Sequence, residues 1–114
     1  MVDDSHVTFG MIFNRLLPKE QHLREPERIE GVMLSVQASE HHYCSPKKNG
    51  LDIEAYSMVE VGIRGPGGKL CRPSEIGVDG FDHLFGESTS SPIAPFVKLE
   101  DAKKLRKALM EKAD

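Results

Sequence analysis

GVMLSVQAS, residues 31–39, alternates without a break. Val32, Leu34, Val36 and Ala38 fall on one side of an extended chain and Met33, Ser35 and Gln37 on the other, because successive strand side chains point to opposite faces. That spacing predicts a half-buried strand, and a half-buried strand needs a partner. AYSMVEVGIRG, 55–65, offers one: Val59, Val61 and Ile63 share one face while Tyr56, Met58 and Glu60 share the other, which predicts a second strand over 56–64. GPGG at 65–68 sets Pro-Gly at the centre of a tight turn, where proline fixes φ and glycine accepts positive φ. KLCR, 69–72, is then expected to return as a short third strand, limited by Pro73. The expectation is an antiparallel meander over residues 31–72.

On the N-terminal side, Phe9, Ile12, Phe13, Leu16 and Leu17 recur at the spacing of one helix face, with Ser5 or Thr8 as N-cap and Pro18 as a stop. A short helix is expected there, followed by a polar connector, PKEQHLREPERIE, through residue 30. On the C-terminal side, residues 73–95 are rich in Gly, Ser, Pro and acidic residues and read as a long segment that either holds a helical turn at 80–85 or serves as a mobile functional loop, pinned in both cases by Phe81 and Phe85. IAPFV, 93–97, adds a brief edge strand. The last stretch carries Leu99, Ala102, Leu105, Ala108 and Leu109 on one stripe, with Glu100 and Asp101 at the positive end of the dipole and lysines at the other. A helix over 99–112 follows. The fold class is therefore α+β: a small antiparallel sheet of three to four strands packed by a C-terminal helix, with a short N-terminal helix, in one domain.

Composition bounds the function. The chain has 114 residues, 39% hydrophobic and 29% charged, in the range of a folded globular domain. Fifteen Lys and Arg stand against 18 Asp and Glu, a net charge of −3, so the overall field repels a phosphate backbone and no direct nucleic-acid binding is expected. The basic run Lys103, Lys104, Arg106, Lys107 and Lys112 reads as the solvated face of the last helix. No apolar run is long enough to span a membrane, and the acidic start with Asn14 and Arg15 is unlike a secretory signal; a cytoplasmic protein with two free thiols, Cys44 and Cys71, is expected.

ASEHHYCSPKKNG, 38–50, concentrates the residue types that carry chemistry. As a metal site, His42, Cys44, Cys71 and His83 are ligand types that zinc accepts, but they lack the closely spaced pairs of structural zinc sites. As a reactive centre, Cys44 beside His41 and His42 has the composition of a Cys-His dyad, yet such partners normally meet through the fold. Cofactors are not expected, and neither is catalysis. As a recognition loop, Tyr43, Lys47, Lys48, His41 and His42 combine aromatic area with donors, and the acidic loop adds Asp79, Asp82 and Glu87, with Glu75 nearby, as charge for a basic partner. The competing reading is a solvated connector with Cys44 packed beneath it. Edge pairing near 69–72 or 93–97 makes a homodimer a further option.

The pattern from Ser39 to Gly62, HYCSP, a polar gap and then YSMVEVG, resembles small open reading frames of bacteriophages and prophages. In those proteins a strand runs into a His-Tyr-Cys or Ser-Pro turn, then into a Tyr-x-x-Val-Glu-Val-Gly strand, and a terminal helix follows. The likeness extends loosely to the final helix; the first 30 residues and the 73–95 loop are additions. It implies a small accessory protein that binds a protein partner, such as a larger host complex, with inhibitors of CRISPR-type defence as one class. It transfers no catalytic residues.

Overall fold

The computed structural model describes residues 8–86 and 92–113. The fold is α+β. Helix α1 (Phe9–Phe13) leads into strands β1 (Leu16–Leu17), β2 (Glu20–Arg24), β3 (Glu27–Ile29) and β4 (Val32–Gln37); β5 (Met58–Arg64), β6 (Ala94–Lys98) and helix α2 (Leu99–Ala113) follow. β1 and β2 form a two-stranded antiparallel ribbon, and the main sheet runs β3-β4-β5-β6, antiparallel throughout. Among the described residues no helix is long and apolar enough to cross a membrane.

The alternation in β4 and β5 positions the core. Leu34 faces Ile63 and Val36 faces Val61 in register, and these four with Val59 are at most 1% exposed. Ala102, Leu105 and Leu109 of α2 join them in the same buried cluster. The helix stripe thus meets the apolar sheet face, the arrangement that the two sequence periods require. The cations of α2 are partly spent on anchoring: Arg106 makes a two-point ion pair with Glu27 at 2.8 and 2.9 Å, and Lys103 pairs with Glu54.

Several local expectations are corrected. The first helix is one short turn, capped by Thr8 Oγ1, which accepts the Met11 N–H at 3.1 Å. It stops at Asn14, and Leu16–Leu17 become β1 because Pro18 pushes the preceding residue toward extended angles. The expected connector 18–30 holds two strands. β3 and β4 are joined by Glu30-Gly31, both at positive φ (38° and 84°), the signature of a tight hairpin turn whose twist matches its strands. Tyr56, which simple alternation puts on the outer face, is 1% exposed and donates its hydroxyl to Lys48 O, because β5 begins only at Met58.

The third strand at 69–72 is absent. The chain turns at Pro66-Gly67, with Gly68 N–H on Gly65 O at 2.9 Å, but then makes only one bridge, Arg64 to Leu70. Pro73 opens a 3-10 turn (Pro73–Ile76), and β5 takes β6 as its neighbour over 58–61 instead. The described part of the long loop, 73–86, is built rather than loose: Ser74 Oγ and N–H both bind Asp82, Arg72 donates to Gly86 O, Phe85 is buried and Phe81 packs on the core.

Candidate functional site

β4 and β5 are joined by a 20-residue connection, 38–57, and its first half is fixed by hydrogen bonds that its polar residues supply. Ser39, 1% exposed, accepts the His41 N–H at 3.0 Å and lies 2.6 Å from His42 Nδ1. Cys44, also 1% exposed, donates its thiol to Ser39 O at 3.1 Å. Asn49 Oδ1 accepts the Glu40 N–H. With its backbone held from inside, the loop turns Tyr43 outward, 55% exposed.

Strand β6 brings the second half of the site. Val59 opposes Val97 and Val61 opposes Ala94, so Pro95 and Phe96 together face the single residue Glu60. This is a β-bulge, which re-aims side chains. Phe96 takes φ 49°, a left-handed angle rare for a bulky residue, and is 47% exposed. Its N–H donates to Tyr43 O at 3.0 Å, and the Tyr43 N–H donates to Glu60 Oε1 at 3.2 Å. The bulge and the loop are thereby welded, and the rings of Tyr43 and Phe96 sit 5.8 Å apart, tilted at 55°. Lys47 Nζ lies 5.7 Å from the Tyr43 ring centre, within reach of a cation–π contact. The result is an exposed aromatic pair with a basic edge on a backbone that holds it in place.

The other sequence candidates divide. Tyr43 and Lys47 belong to this patch. Lys48 is exposed and its carbonyl is used by Tyr56. His41 stacks edge-on against His22 at 5.3 Å and touches Glu40 at 3.4 Å. His42 is half-buried; desolvation holds its pKa below the ordinary histidine value, with His22, His41 and Arg24 pushing the same way and Glu60 opposing. Asp82 is an internal cap, its carboxyl kept acidic by the Ser74 hydroxyl and amide, and Glu75 accepts the Arg72 N–H at 2.7 Å. Two of the four carboxylates expected to face a partner therefore serve the loop itself. Asp79 is exposed, and Glu87 lies outside the described residues.

The zinc set does not assemble: among the described residues no three His, Cys, Asp or Glu side chains converge to hold a metal ion. Cys44 is sealed from any electrophile, and burial, with Glu75 nearby, pushes the Cys71 thiol pKa up, away from a reactive thiolate. The 69–72 segment offers no strand for a second copy, and Pro95 and the bulge blunt β6 as a pairing edge. Phe96 is the residue that sequence reasoning missed. Its one signal is Pro95, since proline inside a strand marks an edge or a bulge. Compared with protein-family models, curated proteins and solved structures, the chain matches none of them.

Proposed function

We propose that this protein is a non-enzymatic protein-binding module whose contact patch is the Tyr43–Phe96 pair with Lys47 at its edge. The observation that carries the reading is Phe96 at φ 49°. A left-handed angle costs an L-residue roughly 1–2 kcal/mol, and a glycine there would avoid it. Strain of this kind clusters where surrounding structure holds a side chain for use, and what it holds here is a half-exposed phenyl ring beside an exposed tyrosine.

Exposed, pre-positioned aromatic rings with a basic neighbour are the anchor chemistry of protein interfaces. The complementary partner surface is an apolar pocket bordered by carboxylates, with Lys47 steering the approach. Docking through side chains fits better than strand addition, because Pro95 and the bulge interrupt the β6 edge. The likeness of HYCSP and YSMVEVG to phage accessory proteins supplies the setting: occlusion of a site on a larger host complex, such as a CRISPR-type defence machinery.

The test is affinity capture from a bacterial host lysate with the wild-type chain and the double variant Tyr43→Ala/Lys47→Glu. Both side chains project outward, so the variant should melt at the wild-type temperature. A partner retained by the wild type and lost by the folded variant is the expected result. An identical captured set from both baits removes the patch from the interface.

A further inference from the structure

The face of the sheet opposite α2 holds a trough of about 340 Å3 that adjoins the aromatic patch at Glu60. Its floor is Gly62 with Ser35 directly across the strand pair, and Met33, Leu70 and Ile93 stand among its walls. Glu60 and Arg64, two positions either side of Gly62 on the same face of β5, mark its ends.

Gly62, itself buried, gives the trough a floor without a side chain. A Cβ there would stand 3.5 Å from Ile93 Cδ1 and 3.6 Å from Leu70 Cδ2, ordinary contact distances, so the site has room for a methyl group. Glycine weakens a strand interior, and one use of it is to let another backbone come close. The polar groups match a backbone as well. Ser35 Oγ accepts from Gln37 Nε2 at 2.9 Å, and among the described residues its own hydrogen is not donated. Glu60 uses Oε1 for the Tyr43 N–H, Arg64 uses one guanidinium nitrogen for Gly68 O at 2.8 Å, and neither makes an ion pair among the described residues. A carboxylate oxygen remains at one end and N–H donors at the other.

We propose that the trough binds a short apolar peptide with free ends, its ammonium at Glu60, its carboxylate at Arg64 and its backbone over Gly62. Four strand steps separate Glu60 from Arg64 by about 13 Å, and an extended tripeptide spans about 10 Å, which leaves the two side chains to close the remainder. The volume lies at the lower end of the range for small-ligand pockets, as a tripeptide requires. An acyl carboxylate would satisfy Arg64 but set its tail against the Glu60 charge. The zwitterion answers both ends.

Titration calorimetry on the full chain with Ala-Leu-Ala tests this, alongside its N-acetylated and its C-amidated forms and decanoate. The free-ended peptide should bind, and blocking either end should weaken it about tenfold or more, the worth of one charge-assisted hydrogen bond. Gly62→Val should abolish binding. Arg64 is exposed, so Arg64→Gln keeps the fold, and it should weaken the free-ended peptide while leaving the amidated one unchanged. Absence of binding, equal affinity for blocked and free peptide, an Arg64→Gln loss that persists with the amide, or tighter binding of decanoate each overturns the proposal.

Discussion

Phe96 allows a test in which the sign of an effect, rather than its size, decides. Phe96→Ala and Phe96→Gly both remove the ring and its contact with Tyr43, so the two variants differ only in Cβ. At an ordinary strand position alanine is the more stable of the two by roughly 0.5–1 kcal/mol, because glycine loses more backbone freedom on folding. At φ 49° the Cβ itself costs roughly 1–2 kcal/mol, which outweighs that term. Glycine should therefore be more stable than alanine by about 0.7 kcal/mol, the opposite of the usual order. For a chain of 114 residues the unfolding entropy is about 240 cal/mol/K, so the melting midpoints should differ by about 3 °C. Paired thermal and urea unfolding of the two variants measures it. An alanine variant at least as stable as the glycine variant refutes the strained bulge, and with it the argument that Phe96 is held outward at a cost. Because both variants lack the ring that pairs with Tyr43, both should also lose the partner that Tyr43→Ala/Lys47→Glu loses.

Arg24 is 3% exposed and donates to Phe13 O, Asn14 Oδ1 and Leu51 O at 2.8–3.0 Å, so Arg24→Met should cost about 2–3 kcal/mol in urea unfolding by leaving those acceptors unmet; a loss below about 1 kcal/mol would show that the loop and α1 do not depend on it. Desolvation lowers the His42 pKa in the folded chain, so the unfolded chain takes up its proton first as pH falls through about 6.5. Stability should be full above that value, decline below it, and decline less in His42→Gln, as thermal melts across that window will show. Cys44 and Cys71, 1% and 8% exposed, should react with an aromatic disulfide reagent only at the rate of opening or unfolding; rapid labelling of Cys44 in the native chain would revive it as a nucleophile.

The elements legible in the sequence are those whose pattern is local. β4 and β5 alternate at period two and α2 repeats at 3.6, and in each case one face meets the core, so the pattern and the fold state the same fact. β2 and β3 escape this logic. They are polar, short and flanked by Pro18 and Pro26, and what makes them strands is pairing: β3 exists because Glu30-Gly31 folds it back onto β4 and because Arg106, 79 residues away, clamps Glu27. α1 shows the reverse case. Its apolar spacing continues to Leu17, but Asn14 Oδ1 is drawn to the Ile53 N–H at 2.7 Å and to Arg24, and the helix ends where those distant bonds begin.

The same division runs through the contact patch. Tyr43 and Lys47 were readable as loop residues because an aromatic ring between turn formers has nowhere regular to be buried. Phe96 was not, since a phenylalanine in IAPFV reads by default as a residue that packs inward. Its outward direction comes from the two-against-one pairing of Pro95 and Phe96 with Glu60, a count that depends on how β6 meets β5 and on no property of phenylalanine. Glu60 also receives the Tyr43 N–H and marks one end of the trough floored by Gly62. One carboxylate thus sits where loop, bulge and trough adjoin, and Glu60→Gln should separate the surfaces. It keeps an oxygen for Tyr43 and hence the aromatic patch, while removing the charge that a peptide ammonium needs.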